Sequence, residues 1–406
     1  METGGEIRSS NYILGLVSLA VVFCVVWLLW FIFMDPNKSW FKLYTPMYGF
    51  SLVVTWFSAI ILMTTVADYY PFHLPGETTF SRGILLTAFS ILLMLFLVYV
   101  LFWGFIGRLG VAYFSPKSIV ASGGIGAEAW NAREIASRAI VYFFAAFLWW
   151  ALFWRVGFGD WPWLGANRGT VAWSRLVSVL LFSIITYSLL FHPHVCYLFY
   201  PAQTKAGVEP WWISFAQTGD AFFWLGLILC ILFWIVISDL LWEGRPWSRL
   251  ERDGQGTLAK GVVTLIGTLI LGVILFVVLL KVMNIPWGEA FEGGQYTEGP
   301  FFRYIHAGEI AGFFILAAFI LATYFNNVPR LSGLWTRGII RTAISLVGGI
   351  LIYLFYYSPA TTFFLGKMPG VGQAEDSPLV WTILFLCLIL IHRDFWGAWP
   401  LRRKDL

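Results

Sequence analysis

The chain has 406 residues, 59% of them hydrophobic and only 12% charged, with a formal net charge of +4. A water-soluble domain carries about 25% charged residues, so composition excludes an ordinary soluble enzyme and points to an all-α polytopic integral membrane protein, whose helices satisfy their own backbone groups in lipid. The small basic excess reads as an orientation signal and calls for no nucleic acid partner.

The first apolar run, Tyr12 to Phe33, is too long for a signal-peptide core and no small-residue cleavage pattern follows it, so it reads as the first span. Later runs predict spans over Tyr48 to Ala67, Gly83 to Phe105, Ile135 to Trp154 and Trp173 to Phe191. The second half adds Gln217 to Ser238, Gly261 to Val282, Ile305 to Phe325, Gly338 to Tyr357 and Val380 to His392. About ten transmembrane helices thus make one domain over residues 1–406, with no stretch polar enough for a soluble nucleotide-driven motor.

Arginine and lysine concentrate in the joints after the even-numbered spans, as at Arg82, Arg168, Arg245, Lys260, Arg330 and Arg337, and in the tail at Arg402, Arg403 and Lys404. The positive-inside tendency then predicts a cytoplasmic-membrane protein with both termini cytoplasmic. Those joints repeat a phrase. An acid or amide at the helix end (Asp68, Asp160, Asp239, Asn326) is followed by a proline (Pro71, Pro162, Pro246, Pro329) and a basic-glycine pair. The pairs are Arg82-Gly83, Arg168-Gly169, Lys260-Gly261 and Arg337-Gly338. Two origins fit: convergent interface chemistry, in which proline stops the helix and a base prefers one leaflet, or four parallel helix-hairpin repeats. The repeats would cover about 46–105, 133–192, 215–282 and 303–358, with one flanking helix at each end. Interfacial aromatic belts account for most tryptophans, Trp242, Trp247 and Trp396 included. Arg175 and Arg341, a turn inside their spans, are expected to reach headgroups, as is Arg138.

Intramembrane carboxylates are the strongest functional signal, because a charge in hydrocarbon is costly and faces a bundle interior or a wet cavity. Spans six and eight begin AQTGDAFF and YIHAGEIAG, which place Gly219-Asp220 opposite Gly308-Glu309. His306 and Glu309, at i and i+3, share a helical face. Asp220, Glu309, His306 and Gln217 are therefore the expected ion- or proton-coupling group. His192 and His194, flanking Pro193 at the end of span five, could join His306 and Glu309 as ligands of a transition metal such as zinc, copper or iron. No nucleotide or haem motif is present. Four cysteines show no CxxC spacing, and the three within spans read as packing residues.

Three functional classes remain open on the residues alone. The first is a transporter or permease coupled to protons or cations, acting on a small solute or cation. The second is a membrane-embedded metal-dependent enzyme or redox subunit using the His/carboxylate set. The third is a non-catalytic subunit that holds a protein partner or another copy of the chain within the lipid bilayer.

Overall fold

The computed structural model describes residues 9–71, 79–109, 114–122, 128–191, 221–252, 255–291, 300–366 and 378–399. Ten of the helices described are long and apolar enough to cross a membrane. In chain order they are α1 (Tyr12–Met34), α2 (Met47–Val66), α3 (Phe80–Arg108), α4 (Ala129–Gly157), α5 (Arg168–Leu190), α6 (Ala221–Leu240), α7 (Leu258–Trp287), α8 (Phe302–Phe325), α9 (Leu334–Tyr356) and α10 (Pro378–Phe395). Apart from one isolated bridge, Arg252 to Gln255, no β-pairing occurs among the described residues. The fold is the all-α multi-pass membrane class that composition predicts.

Burial divides the helices in two. The even-numbered spans are buried over 67 to 83% of their apolar windows, the odd-numbered ones over 17 to 28%. The even-numbered helices form a closed ring, α2 against α4, α4 against α6, α6 against α8, α8 against α10 and α10 back against α2. The odd-numbered helices pack outside it, each in or near a groove between ring members: α3 on α2 and the last turn of α10, α5 on α4 and the last turn of α2, α7 on α6 and α4, α1 on α8 and α10. A helix apolar on every side suits the inner position, where protein replaces lipid all round. The two flanking helices of the sequence reading thus pack against each other, α10 as an inner and α1 as an outer member.

Because inner and outer helices alternate along the chain, every short joint leaving an inner helix falls at one end of the bundle, the joint end. The longer connections lie at the other, the loop end. Local sequence explains how the helices start. Pro46 sits in the first turn of α2 behind an extended Thr45, Asn167 accepts a hydrogen bond from the Thr170 amide, and Thr257 accepts one from the Lys260 amide, so short polar side chains satisfy amides that a helix start leaves free.

The joints share geometry as well as wording. Left-handed backbone recurs at Asp68 and Tyr69, at Gly159, at Glu243 and Gly244, at Asn326 and Asn327, and at Gly397 and Ala398 after α10. The peptide bonds before Pro71, Pro162, Pro246 and Pro329 are all cis. From four of these five joints an aromatic ring reaches over a glycine near the start of an outer helix: Tyr70 over Gly169, Phe158 over Gly261, Trp242 over Gly338, and Trp396 over Gly83. A Cβ on Gly338 would stand 2.6 Å from Trp242, and one on Gly261 only 1.8 Å from Phe158. Trp242 and Trp396 also donate through Nε1 to Thr342 and Thr87, one turn beyond their glycines. These tryptophans are hydrogen-bonded into seams between helices, a role beyond the interfacial belt.

Arg175 and Arg341 differ from expectation. Both are buried. The Arg175 guanidinium donates to the carbonyls of Thr65 and Val66 at the end of α2 and pairs with Asp160. Arg341 donates to Leu241 O just past α6 and to Glu243. The last carbonyls of an inner helix lack intrahelical donors, and a fixed cation from the adjacent outer helix supplies them while favouring the negative end of the helix dipole. Arg138 is exposed, as expected.

Candidate functional sites

At the loop end, α8 carries His306 and Glu309 on one face, both buried. Their i, i+3 spacing brings Glu309 Oε2 to 2.8 Å from His306 Nδ1. His306 Nε2 lies 3.3 Å from the Tyr353 hydroxyl on α9. The imidazole sits among three aromatic rings, with centroids of Trp287, Tyr353 and Tyr357 at 5.2, 5.8 and 5.9 Å. Tyr353 is partly buried and touches exposed Tyr357, centroid to centroid 4.7 Å. The carboxylate therefore lies at the dry end of a chain of titratable groups that leads outward to the surface.

Helix packing fixes this placement. Gly308 approaches Gly226 of α6 so closely that a Cβ on Gly308 would lie 2.8 Å from the Gly226 Cα, and one on Gly226 would lie 2.0 Å from the Tyr304 carbonyl oxygen. Small residues at such a crossing let backbones approach, as membrane helix pairs require. Spans six and eight thus meet. Span five packs on α4 and α2. Arg303, also buried, donates to Asn284 Oδ1 and Gly288 O and closes the end of α7 beneath Trp287. On α4, Glu134 accepts hydrogen bonds from the Thr45 hydroxyl and the Met47 amide and so caps α2.

Four expected site residues, His192, His194, Gln217 and Asp220, lie outside the described residues. Among the described residues no group of three or more His, Cys, Asp or Glu side chains could hold a metal. His306 and Glu309 would offer a metal two ligands, and each His306 ring nitrogen already has a hydrogen-bonding neighbour.

A second site, unforeseen in the sequence, lies on the ring axis at the joint end. It is a cavity of about 350 Å³ to which every inner helix contributes. Its apolar wall is built from Ile61, Leu152, Ile235, Phe319 and Leu390. Its polar rim holds Asp68, Tyr69, Arg155, Asp239, Arg393 and Asp394. The last turns of α2 and α10 widen to π-helical geometry over Leu62–Val66 and Ile391–Phe395, a distortion frequent at functional sites. It lies in the cavity wall, to which Thr64, Thr65, Arg393 and Asp394 all contribute. One turn deeper on the same faces the ring closes with buried Phe57, Leu148, Ile231, Leu316 and Leu386. The cavity is therefore a vestibule ending in packed side chains.

Its charges are unequally engaged. Arg393 grips Asp394 with two bonds of 2.6 and 2.8 Å. Asp68 is held by Arg168 at 2.7 Å. Arg155 and Asp239, on neighbouring ring helices, stand 3.5 Å apart, longer than the roughly 2.7–2.9 Å of a charge-assisted hydrogen bond. Burial, and secondarily the Asp394 carboxylate, pushes the Tyr69 phenol up to about 12, so it remains a hydrogen-bond donor at neutral pH. The missed signal was the acid that opens each joint phrase: Asp68 and Asp239 read as helix-end chemistry, whereas the ring turns both toward its axis. A comparison of the chain with known protein families, curated proteins and solved structures finds no match.

Proposed function

We propose that the chain is a permease that couples solute movement to protons, with Glu309 as the coupling carboxylate and His306 and Tyr353 passing its proton toward the loop end. The observation that supports this most is the burial of Glu309 together with its hydrogen-bonded route through His306 to Tyr353, whose ring packs against exposed Tyr357. A charged carboxylate in apolar packing is costly unless a partner shares or neutralises the charge, and an imidazole within hydrogen-bond distance can take the proton or return it. Glu309 and Phe319 of the axial cavity lie on one helix, ten residues and thus about 15 Å apart along its axis. A shift of α8 would move both. Asp220 and Gln217, immediately ahead of α6 in sequence, complete the coupling group in this reading. A cytoplasmic membrane location with the joint end inside fits the basic residues of the joints.

The shared joint geometry supports descent of the inner–outer pairs from one duplicated hairpin, with α10 and α1 as a fifth pair split between the chain ends. This extends the four repeats of the sequence reading.

Proteoliposomes loaded with a pH-sensitive dye test the function. With a panel of inorganic cations, amines and amino acids outside, the native protein should move protons when its solute is present. Glu309→Gln should abolish that movement and Glu309→Asp should keep part of it. Native rates in a correctly folded Glu309→Gln variant would remove Glu309 from the mechanism.

A further inference from the structure

We propose that the axial cavity binds a small zwitterion, an amino-acid-like or betaine-like solute whose carboxylate meets Arg155 and whose cationic nitrogen meets Asp239. This names the substrate class of the permease and rests on that reading for the solute's fate, though the binding step stands by itself.

Position places the cavity where a change in the ring would be felt. It sits on the axis where all five inner helices meet, so any parting of the ring alters it. Size restricts the occupant. At about 350 Å³ it falls at the small end of ligand pockets, which run from about 300 to 1,000 Å³. That admits a molecule of amino-acid size and turns away bulky solutes.

Charge selects among small molecules. An inorganic cation would meet two arginines, and a simple anion would meet three aspartates. Arg393 with Asp394 and Asp68 with Arg168 are closed pairs with short hydrogen bonds. Arg155 and Asp239 are in ionic contact only, with side chains 52 and 34% exposed. A ligand bearing both charges can enter this pair and replace one long contact with two short ones, so neither ion is left without a partner. A ligand with one charge meets one partner and leaves the other to water, so it gains one short contact where a zwitterion gains two. The two partners come from α4 and α6, so the bound zwitterion would bridge adjacent ring helices. The Tyr69 hydroxyl, which donates to the Asp394 carbonyl at 3.4 Å, offers its oxygen as an acceptor at the rim, and Phe319 and Ile61 receive the apolar part.

Isothermal titration calorimetry on the detergent-solubilised full chain tests this, with glycine, β-alanine, glycine betaine and L-leucine as probes, and ethylamine and acetate as their single-charge halves. At least one zwitterion should bind at millimolar concentration or better while neither half-molecule does. Asp239→Asn and Arg155→Gln should each weaken that binding by about tenfold or more, and the double variant should lose less than the product of the two because both act through one bridge. Arg155→Lys, which keeps the charge, should recover part of the loss and guards against misfolding as the cause. Trp242→Phe, outside the cavity lining, should bind like the native protein. Binding of ethylamine equal to that of glycine, no zwitterion binding, or indifference to both substitutions would each overturn the assignment. Binding that obeys the pattern in a protein that moves no solute across proteoliposomes would leave the site standing and end the permease reading.

Discussion

At the loop end of the ring, Glu134, Arg303, His306 and Glu309 are all buried, and each has hydrogen-bond partners drawn from a neighbouring helix or its own. At the joint end, Arg155 and Asp239 stand half in water around a vestibule, touching at 3.5 Å. The same residue types thus do opposite work. Ions sealed in packing hold helices together or, in the proposed function, store a proton, and removing one leaves its partners stranded. Ions at a wet rim contribute little to the fold and remain available to a solute. Exposure and partner count, more than residue identity, separate the two roles.

The sharpest way to break this contrast is Arg303→Met. It leaves Asn284 Oδ1 and the Gly288 carbonyl without their buried cationic donor, and should destabilise the protein by about 3 kcal/mol or more, read by thermal unfolding in detergent. A shift near zero would place Arg303 with the rim charges. Next comes Gly226→Ala. Its Cβ would meet the Tyr304 carbonyl at 2.0 Å, a backbone obstacle that no rotamer relieves, so α6 and α8 must separate at a cost of roughly 2–3 kcal/mol. The same separation should admit water toward Glu309, so proton movement should slow or uncouple along with the loss of stability. Retained coupling in a destabilised variant would divorce the α6–α8 seam from the proton site.

Much of this architecture was legible in the amino-acid order, for an identifiable reason. Ten apolar runs bounded by prolines and bases define ten spans, because lipid imposes one local requirement on every residue of a span. The joint phrase was visible for the same cause, being local. Ring order was not visible: α6 and α10 are both apolar on every side, and only tertiary packing tells which helices adjoin. His306 and Glu309 could be paired from their spacing on one helix. Tyr353, on another helix, could not be added. Asp239 illustrates the larger blind spot. At the end of a span it reads as interface chemistry, and its place on the axis depends on Arg155 arriving from α4. Arg175 and Arg341 failed in the opposite direction, since the helix ends they serve are non-local.

Trp242→Phe sharpens the comparison at intermediate scale, because it removes one hydrogen bond, Nε1 to Thr342, while keeping an aromatic ring against Gly338. The joint seams should lose about 1 kcal/mol, measured by the same unfolding assay. Ligand binding in the vestibule should be unaffected, since neither Trp242 nor Thr342 belongs to its wall. A loss as large as that for Arg303→Met would mean that the joints, not the buried loop-end charges, hold the ring together.

The smallest expected effect is the most discriminating. Arg155→Gln removes a guanidinium whose side chain is half exposed and whose ionic partner, itself about a third exposed, lies 3.5 Å away. Exposed pairs of this kind contribute about 0–1 kcal/mol, so unfolding should move by less than about 1 kcal/mol even though a full charge has gone. Raising the salt concentration should shrink that difference further, because water and ions screen the pair. Against Arg303→Met the result isolates environment from chemistry, since both changes delete one arginine next to the ring. If Arg155→Gln instead unfolded the protein, Arg155 and Asp239 would be a strut between α4 and α6. Such a strut could not open for a zwitterion without loosening the ring, and the vestibule would then be a seam of the fold.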